Sequence, residues 1–415
     1  MRRILSLWAH WILFGSVVGV VCGGSSAFFL WALDQATNFR VAHTWMLYML
    51  PFAGLGIGAL YERFGRPIKA GTNLAIDAMD GAPKIPTRMA PMVLAGTVLT
   101  HLFGGSAGRE GTAVQMGASS ADWIAHRFRV NGSVREHLVA AGVAGGFGSV
   151  FGTPFAGALF AIEFASIGRW KYTAFVPCLI ASFVGDFTTR SLGIMHTPYP
   201  TLLPTSFSPL LAGKWLVFAF AIALVTLSFI SLSHFLKDWS ERQMPRLPLR
   251  MFAGGLLVVL LASALRTNDY LGLGIPTIER SFVDPSLPKS AFALKLIFTA
   301  ITVGFGFLGG EVTPLFFVGA TLGNALAAPL GLPLPLAAAV GLASVFAAAS
   351  NAPFALIVMA WELFGASCLA HVALVSSIAY LLVGHRSLYP SQRIHRTKWG
   401  RTLDVPTAIR DFRKR

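Results

Sequence analysis

The chain reads as an all-α polytopic membrane protein in which one unit is written twice, and three observations carry that reading. Of 415 residues, 54% are apolar and 12% charged, with a mean hydropathy of +0.64, a balance outside the range of soluble domains. Apolar stretches recur at 11–33, 45–61, 89–103, 138–162, 173–187, 214–236, 251–265, 291–308, 314–364 and 367–384. Several are too short, and one too long, for the roughly 20 residues of a simple span. Finally, Glu110 and Glu311 each sit in a glycine-rich knot, and each is followed at a similar distance by a Pro-Phe-Ala segment and another glutamate.

Taken in order, Ile4 to Leu30 follows an arginine pair as a signal peptide would, but it is too long for such an apolar core and has no clear cleavage site. It is expected to be the first membrane helix. Residues 1–236 form a first half and 251–384 a second, joined by a polar linker at 237–250 and followed by a basic tail at 385–415. The first copy carries Gly104-Gly105-Ser106-Ala107-Gly108-Arg109-Glu110-Gly111-Thr112, then Gly152-Thr153-Pro154-Phe155-Ala156 and Glu163. The second carries Gly306-Phe307-Leu308-Gly309-Gly310-Glu311-Val312-Thr313-Pro314, then Asn351-Ala352-Pro353-Phe354-Ala355 and Glu362. Short segments interrupted by Gly and Pro at matching places in two halves predict broken helices that stop near the midplane. An odd number of crossings in the first copy would invert the second.

The formal charge of +15 clusters at Arg2 and Arg3, at Arg63, Arg66 and Lys69, along Lys237, Arg242, Arg246 and Arg250, and in the tail. The tail has nine Lys or Arg against two acids, which places both termini in the cytoplasm by the positive-inside rule and argues against nucleic acid. It is too short for an independent domain. Cys22, Cys178 and Cys368 lie in apolar sequence without metal-ligand spacing and are expected to pack. Gly142, Gly146, Gly148 and Gly152 suit close helix approach. No cofactor or metal is implied, and no G-x-x-x-x-G-K-[ST] motif suggests ATP-driven transport.

A carboxylate deep in a bilayer costs about 3 kcal/mol even on the gentler insertion scales, so it persists where it faces a cavity or a partner. Glu110 is therefore read as functional. Neutralisation by Arg109 is set against this, but adjacent helical residues point different ways. The run from Gly111 onward reads as a helix opening, whose free N–H groups and dipole attract an anion. A carboxylate can occupy that place itself and leave when protonated, acting as both gate and proton carrier. Glu311 opens a matching helix with Val312, Thr313 and Pro314, and either titrates or serves as a cap. Glu163 and Glu362 are read as scaffolds tying down neighbouring segments. Asp77 and Asp80 are placed at the interface near the basic 63–69 loop.

Gly108-Arg109-Glu110-Gly111, Gly309-Gly310-Glu311-Val312-Thr313-Pro314 and Ser387-Leu388-Tyr389 resemble, in the right order across nearly the whole chain, the CLC chloride channel and transporter family. The resemblance implies a homodimer in the cell membrane, each subunit holding an anion pathway where two inverted halves meet. It implies Glu110 as the gating and proton-transferring glutamate and Tyr389 as a donor to the bound anion. Thr112 replaces the family's usual proline, and Gly71-Thr72-Asn73 stands where chloride-type members supply a central serine. Glu311, Val312 and Thr313 replace the usual second-half motif, and Phe164 stands where exchangers carry an internal proton glutamate. This combination is similar to the fluoride-exporting branch, which exchanges fluoride for protons. Fluoride holds its water tightly and needs strong donors, so the resemblance assigns anion binding to Gly108, Arg109, Gly111, Thr112, Val312, Thr313, Tyr389, Thr72 and Asn73, and selectivity to Glu311.

The alternatives are a chloride channel or chloride/proton exchanger of the same fold and, from another class, an intramembrane serine hydrolase. The last rests on the G-x-S-x-G pattern at Gly104–Gly108 with His101 nearby. That motif needs a strand-to-helix elbow and an acid–His set. Its surroundings here read as helical, and the repeat places Phe307 opposite Ser106. A purely structural scaffold would leave Glu110 without a reason to be buried.

Overall fold

The structure, a computed structural model, describes residues 2–412, with side chains from Trp11 onward. The arginines expected to orient the amino terminus, Arg2 and Arg3, and the basic residues at 413–415 lie outside the described side chains. Among the described residues, six helical stretches are long and apolar enough to cross a membrane, and five shorter apolar helices of 10–17 residues lie among them. The chain is a polytopic membrane protein.

The first eight helices are α1 (Arg2–Ala42), α2 (Leu50–Phe64), α3 (Thr72–Met79), α4 (Met89–Leu102), α5 (Glu110–Arg127), α6 (Gly132–Phe151), α7 (Pro154–Glu163) and α8 (Phe175–Ser191). The next eight repeat their order: α9 (Pro209–Gln243), α10 (Leu247–Leu265), α11 (Ile275–Arg280), α12 (Ala291–Gly304), α13 (Val312–Leu330), α14 (Leu334–Ser350), α15 (Pro353–Phe364) and α16 (Leu369–Val383). The packing repeats too. Helix α1 lies against α8 as α9 does against α16, α5 against α6 as α13 against α14, and α6 against α8 as α14 against α16. This order corrects the expected boundary. The polar stretch 237–250 is no linker: it is the end of a 35-residue helix and the start of the next, and α9 opens the second copy.

Prolines at the starts of α7, α13, α14 and α15 occupy the first turn, where no backbone N–H is needed. The apolar stretch 138–162 divides into α6 and α7 at Gly152, whose left-handed φ of 71° caps α6 and so gives this glycine a role other than close approach. The long stretch 314–364 divides twice, the second time at Asn351, the left-handed counterpart of Gly152. Small residues let helices touch backbone to backbone. A Cβ on Gly117 would strike the Gly142 carbonyl where α5 crosses α6, and the Gly319–Gly341 pair of α13 and α14 has the same constraint. The three cysteines are free and buried, as packing residues.

The two copies are tied by reciprocal caps. Both carboxylate oxygens of Glu163, at the end of α7, accept from the start of α15, from Phe354 N at 3.2 Å and Ala355 N at 2.8 Å. Glu362, at the end of α15, accepts from Phe155 N at 2.9 Å and Ala156 N at 2.8 Å at the start of α7. Each helix end thus supplies the partners that the other helix start lacks, which requires the two helices to run antiparallel.

The tail adds a small sheet to the helical fold. Strands β1 (Ser166–Ile167), β2 (Arg393–Arg396) and β3 (Thr402–Ala408) lie in that order, β1 parallel and β3 antiparallel to β2, and α17 (Ile409–Phe412) closes the tail. Ile167, Ile394 and Ile409 bury one another, so the tail docks on the membrane unit as an extension of it. Asp77 and Asp80 hold this tail: Asp77 accepts from Ser391 Oγ at 3.1 Å, and Asp80 pairs with Arg393 at 2.7 Å.

Candidate functional site

The loops before α5 and α13 cross at the centre of the bundle. Gly108 N donates to Gly310 O at 2.6 Å and Gly310 N to Gly108 O at 2.8 Å, a two-residue antiparallel bridge that brings the two helix starts together. No side chain fits there. A Cβ on Gly310 would lie 2.8 Å from Gly111 N, and one on Gly108 would lie 2.9 Å from Pro314. Gly310→Ala is expected to cost about 1 to 3 kcal/mol of stability by forcing the loops apart, seen as a lower melting temperature of the purified protein.

Glu110 is 1% exposed, and its carboxylate lies on the first turn of the opposite copy. Thr313 N donates to Oε2 at 3.1 Å, and the Thr313 hydroxyl reaches Oε1 at 2.6 Å and Oε2 at 2.5 Å. Arg109 N also donates to Oε2, at 3.2 Å. Contrary to the expectation for helical neighbours, Arg109 Nε pairs with Oε1 at 3.5 Å. Arg109 is the residue before the helix, where the directions of a regular helix do not apply. The carboxylate therefore occupies the start of α13, the matching helix of the second copy, and not the α5 start from Gly111 onward that the sequence reading assigned to it.

On the side carrying the tail, a cavity of about 850 Å³ approaches this crossing. Its wall includes Glu311, Tyr389, Thr72, Thr97, Thr112 and Gln115, but not Glu110, so it stops short of the Glu110 carboxylate. Arg66, Lys69, Lys237, Arg250 and Arg410 line it as well. Glu241 engages Lys69 at 3.3 Å and Arg250 at 3.4 Å, while Lys237 lies close enough to Glu311 for its charge to act on it. Away from the tail, His196 and Tyr199 of the segment between α8 and α9 lie near enough to Arg109 to sense its charge. His196 Nε2 is 3.2 Å from Asp186, and burial holds its imidazole down at about 4.

The expected anion-binding residues fall into two groups. Thr313, Thr112, Gly111, Val312 and Tyr389 gather around the crossing or the cavity wall, and all are buried. Gly108 is at the crossing, but its N–H is used by Gly310. Thr72 lines the cavity and accepts from Gln115 Nε2 at 3.2 Å. Asn73 also lines it, but its carboxamide turns to Ser391 N at 3.0 Å and to Ala70 O. Sequence reasoning passed over Thr97, whose hydroxyl meets that of Thr112 at 2.7 Å, and Gln115, which holds Thr72. A lone hydroxyl in an apolar helix gives no signal. Gln115, a polar residue five places after Glu110, gave one.

Phe164, at the expected place of an internal proton glutamate, is fully buried. It stacks on Phe160 with ring centres 4.6 Å apart and meets Tyr389 edge-on at 5.8 Å. Ser106 shows no nucleophile geometry. Its hydroxyl bonds Thr299 at 3.0 Å, and both ring nitrogens of His101 face backbone oxygens of Thr97 and Ala107.

A family model described as voltage gated chloride channel matches residues 53–384. The chloride/fluoride channel protein of Pseudomonas syringae pv. tomato is 43% identical over 424 residues, covering 99% of this chain and 92% of that protein. A crystal structure of a CLC-type fluoride/proton antiporter superposes with a TM-score of 0.90 at 36% identity, covering 93% of this chain and 98% of that one. An X-ray structure of a slow cyanobacterial Cl−/H+ antiporter reaches 0.78 at 20% identity, covering 90% and 94%, and shares the fold.

Proposed function

Because the chain belongs to the voltage-gated chloride channel (CLC) family, whose relatives named above are channels and antiporters rather than enzymes, we propose that it is a secondary transporter exporting fluoride in exchange for protons. The observation that carries this reading is the carboxylate of Glu110 seated on the α13 start, where a small anion would bind. Anion and carboxylate compete for the same donors. A proton on Glu110 removes its charge and frees the place, so anion movement one way is tied to proton movement the other way. Thr313 supplies a hydroxyl as well as an N–H, a donor set suited to a strongly hydrated anion. Glu311, on the cavity wall beside Lys237, is assigned to selectivity.

The basic cavity beside the tail is the cytoplasmic entrance in this reading, with both termini on that side. The chain works as a homodimer. Exposed apolar residues of α9 such as Phe220 and Leu224 require lipid or a second copy against them.

Proteoliposomes loaded with fluoride test the reading. Fluoride efflux should drive stoichiometric proton uptake, and chloride should move far more slowly. Fluoride flux without proton movement would make it a channel, and equal chloride flux would favour the chloride alternative. Thr313→Val should slow fluoride efflux by about tenfold, the worth of a hydrogen bond to a charged group, whereas Thr313→Ser should retain most of it.

A further inference from the structure

Tyr389 sits in a segment, 385–392, with neither helix nor strand to hold it. Hydrogen bonds to other elements therefore decide where its ring stands. Leu388 N donates to Ala349 O of α14 at 3.1 Å, and on the opposite side Ser391 N donates to Asn73 of α3 at 3.0 Å. The next residue, Gln392, is fully buried. Its Nε2 donates to Ser350 O at the end of α14, at 2.6 Å, and to Phe164 O just past the end of α7. Its Oε1 accepts from Asn351 Nδ2 at 3.0 Å, and its own N–H donates to Tyr389 O at 3.1 Å. The tail then folds back over it, as Ile409 N donates to Gln392 O at 2.9 Å and Arg410 N to Pro390 O at 3.0 Å.

The carboxamide of Gln392 thus joins an end of the first copy to an end of the second, while the same residue's backbone N–H holds the backbone of Tyr389. Both its donors and its acceptor are used, which an apolar residue of the same volume could not reproduce. Space-filling alone does not call for such a group, because a buried amide is costly unless every partner is in place. A donor to an anion must be held to about half an ångström, and a segment without regular structure does not supply that on its own.

We propose that Gln392 is a positioning residue for Tyr389, and that through it the carboxy-terminal hairpin is a working part of the anion pathway. The inference rests on the reading of Tyr389 as a donor to the anion.

The test measures fluoride KM and maximal rate in proteoliposomes for Tyr389→Phe, Gln392→Leu and Gln392→Asn, for the double variant Tyr389→Phe with Gln392→Leu, and for Gln392→Asn in the Tyr389→Phe background. Tyr389→Phe should raise the fluoride KM about tenfold, as for a lost hydrogen bond to a charged group. Gln392→Leu should reproduce most of that rise, and the double variant should be no worse than Tyr389→Phe alone. Gln392→Asn, which keeps the amide on a shorter arm, should raise KM by about threefold, and this rise should vanish in the Tyr389→Phe background. That smaller change carries the test if the leucine variant does not purify as a uniform species. A Gln392 variant that melts earlier yet keeps the parent KM would overturn the inference, as would effects of Tyr389 and Gln392 that simply multiply. An unchanged KM in Tyr389→Phe would instead sink the reading of Tyr389 itself, and this inference with it.

Discussion

Glu110→Gln is expected to separate anion movement from proton movement, cutting the proton flux that accompanies fluoride efflux by at least about a hundredfold. The amide fits the observed place. Its oxygen can accept from Thr313 N and Arg109 N as Oε2 does now, and its nitrogen can donate to the Thr313 hydroxyl. Two properties change. The side chain can no longer exchange a proton, and it loses the charge that pairs with Arg109. Residual fluoride movement should therefore become insensitive to a proton gradient, measured with a pH-sensitive dye inside the vesicles. Proton-coupled efflux at the parent rate in this variant would sink the gate assignment.

The second large effect is on stability. Glu163→Ala removes both acceptors from the start of α15, leaving the N–H groups of Phe354 and Ala355 without them. Each orphaned group costs about 1 to 3 kcal/mol, so about 2 to 6 kcal/mol is expected in total, read as a lower melting temperature in detergent. Glu163→Gln keeps one acceptor oxygen and should lose less. Glu362→Ala should behave as Glu163→Ala does, because its cap is the same device in the other direction.

What could be read from the sequence follows from how local each signal is. The helix starts at Glu110 and Val312, the breaks near Gly152 and Asn351 and the buried tyrosine all lie in short motifs in which glycine or proline stands beside a polar residue. The second copy's true beginning was missed because polarity ended the apolar stretch 214–236 while the helix ran on to Gln243. A helix can leave the bilayer without ending, so hydropathy marks the membrane and not the helix. The equal lengths of 11–33 and 214–236, which stand 203 residues apart, held the missing clue. The hairpin was missed for another reason. Its strands of four and seven residues find their neighbour in a two-residue strand far back in the chain, and no local pattern announces such a pairing. Gln392 was missed likewise, since a glutamine in a basic tail reads as solvated. The seating of Glu110 on Thr313, 203 residues away, follows from inversion and could be expected in kind but not in its partner.

The reciprocal caps have a consequence for how the chain is made. Glu163 leaves the ribosome 191 residues before its first partner, Phe354. At about 5 to 20 residues per second, that interval is roughly 10 to 40 seconds. Through it, α7 is in place with an acidic end that has nothing to hold, in a lipid setting where water is scarce. The first half of the protein therefore cannot reach its final arrangement as it is synthesised. The reciprocal caps can close only after α15 has entered the membrane.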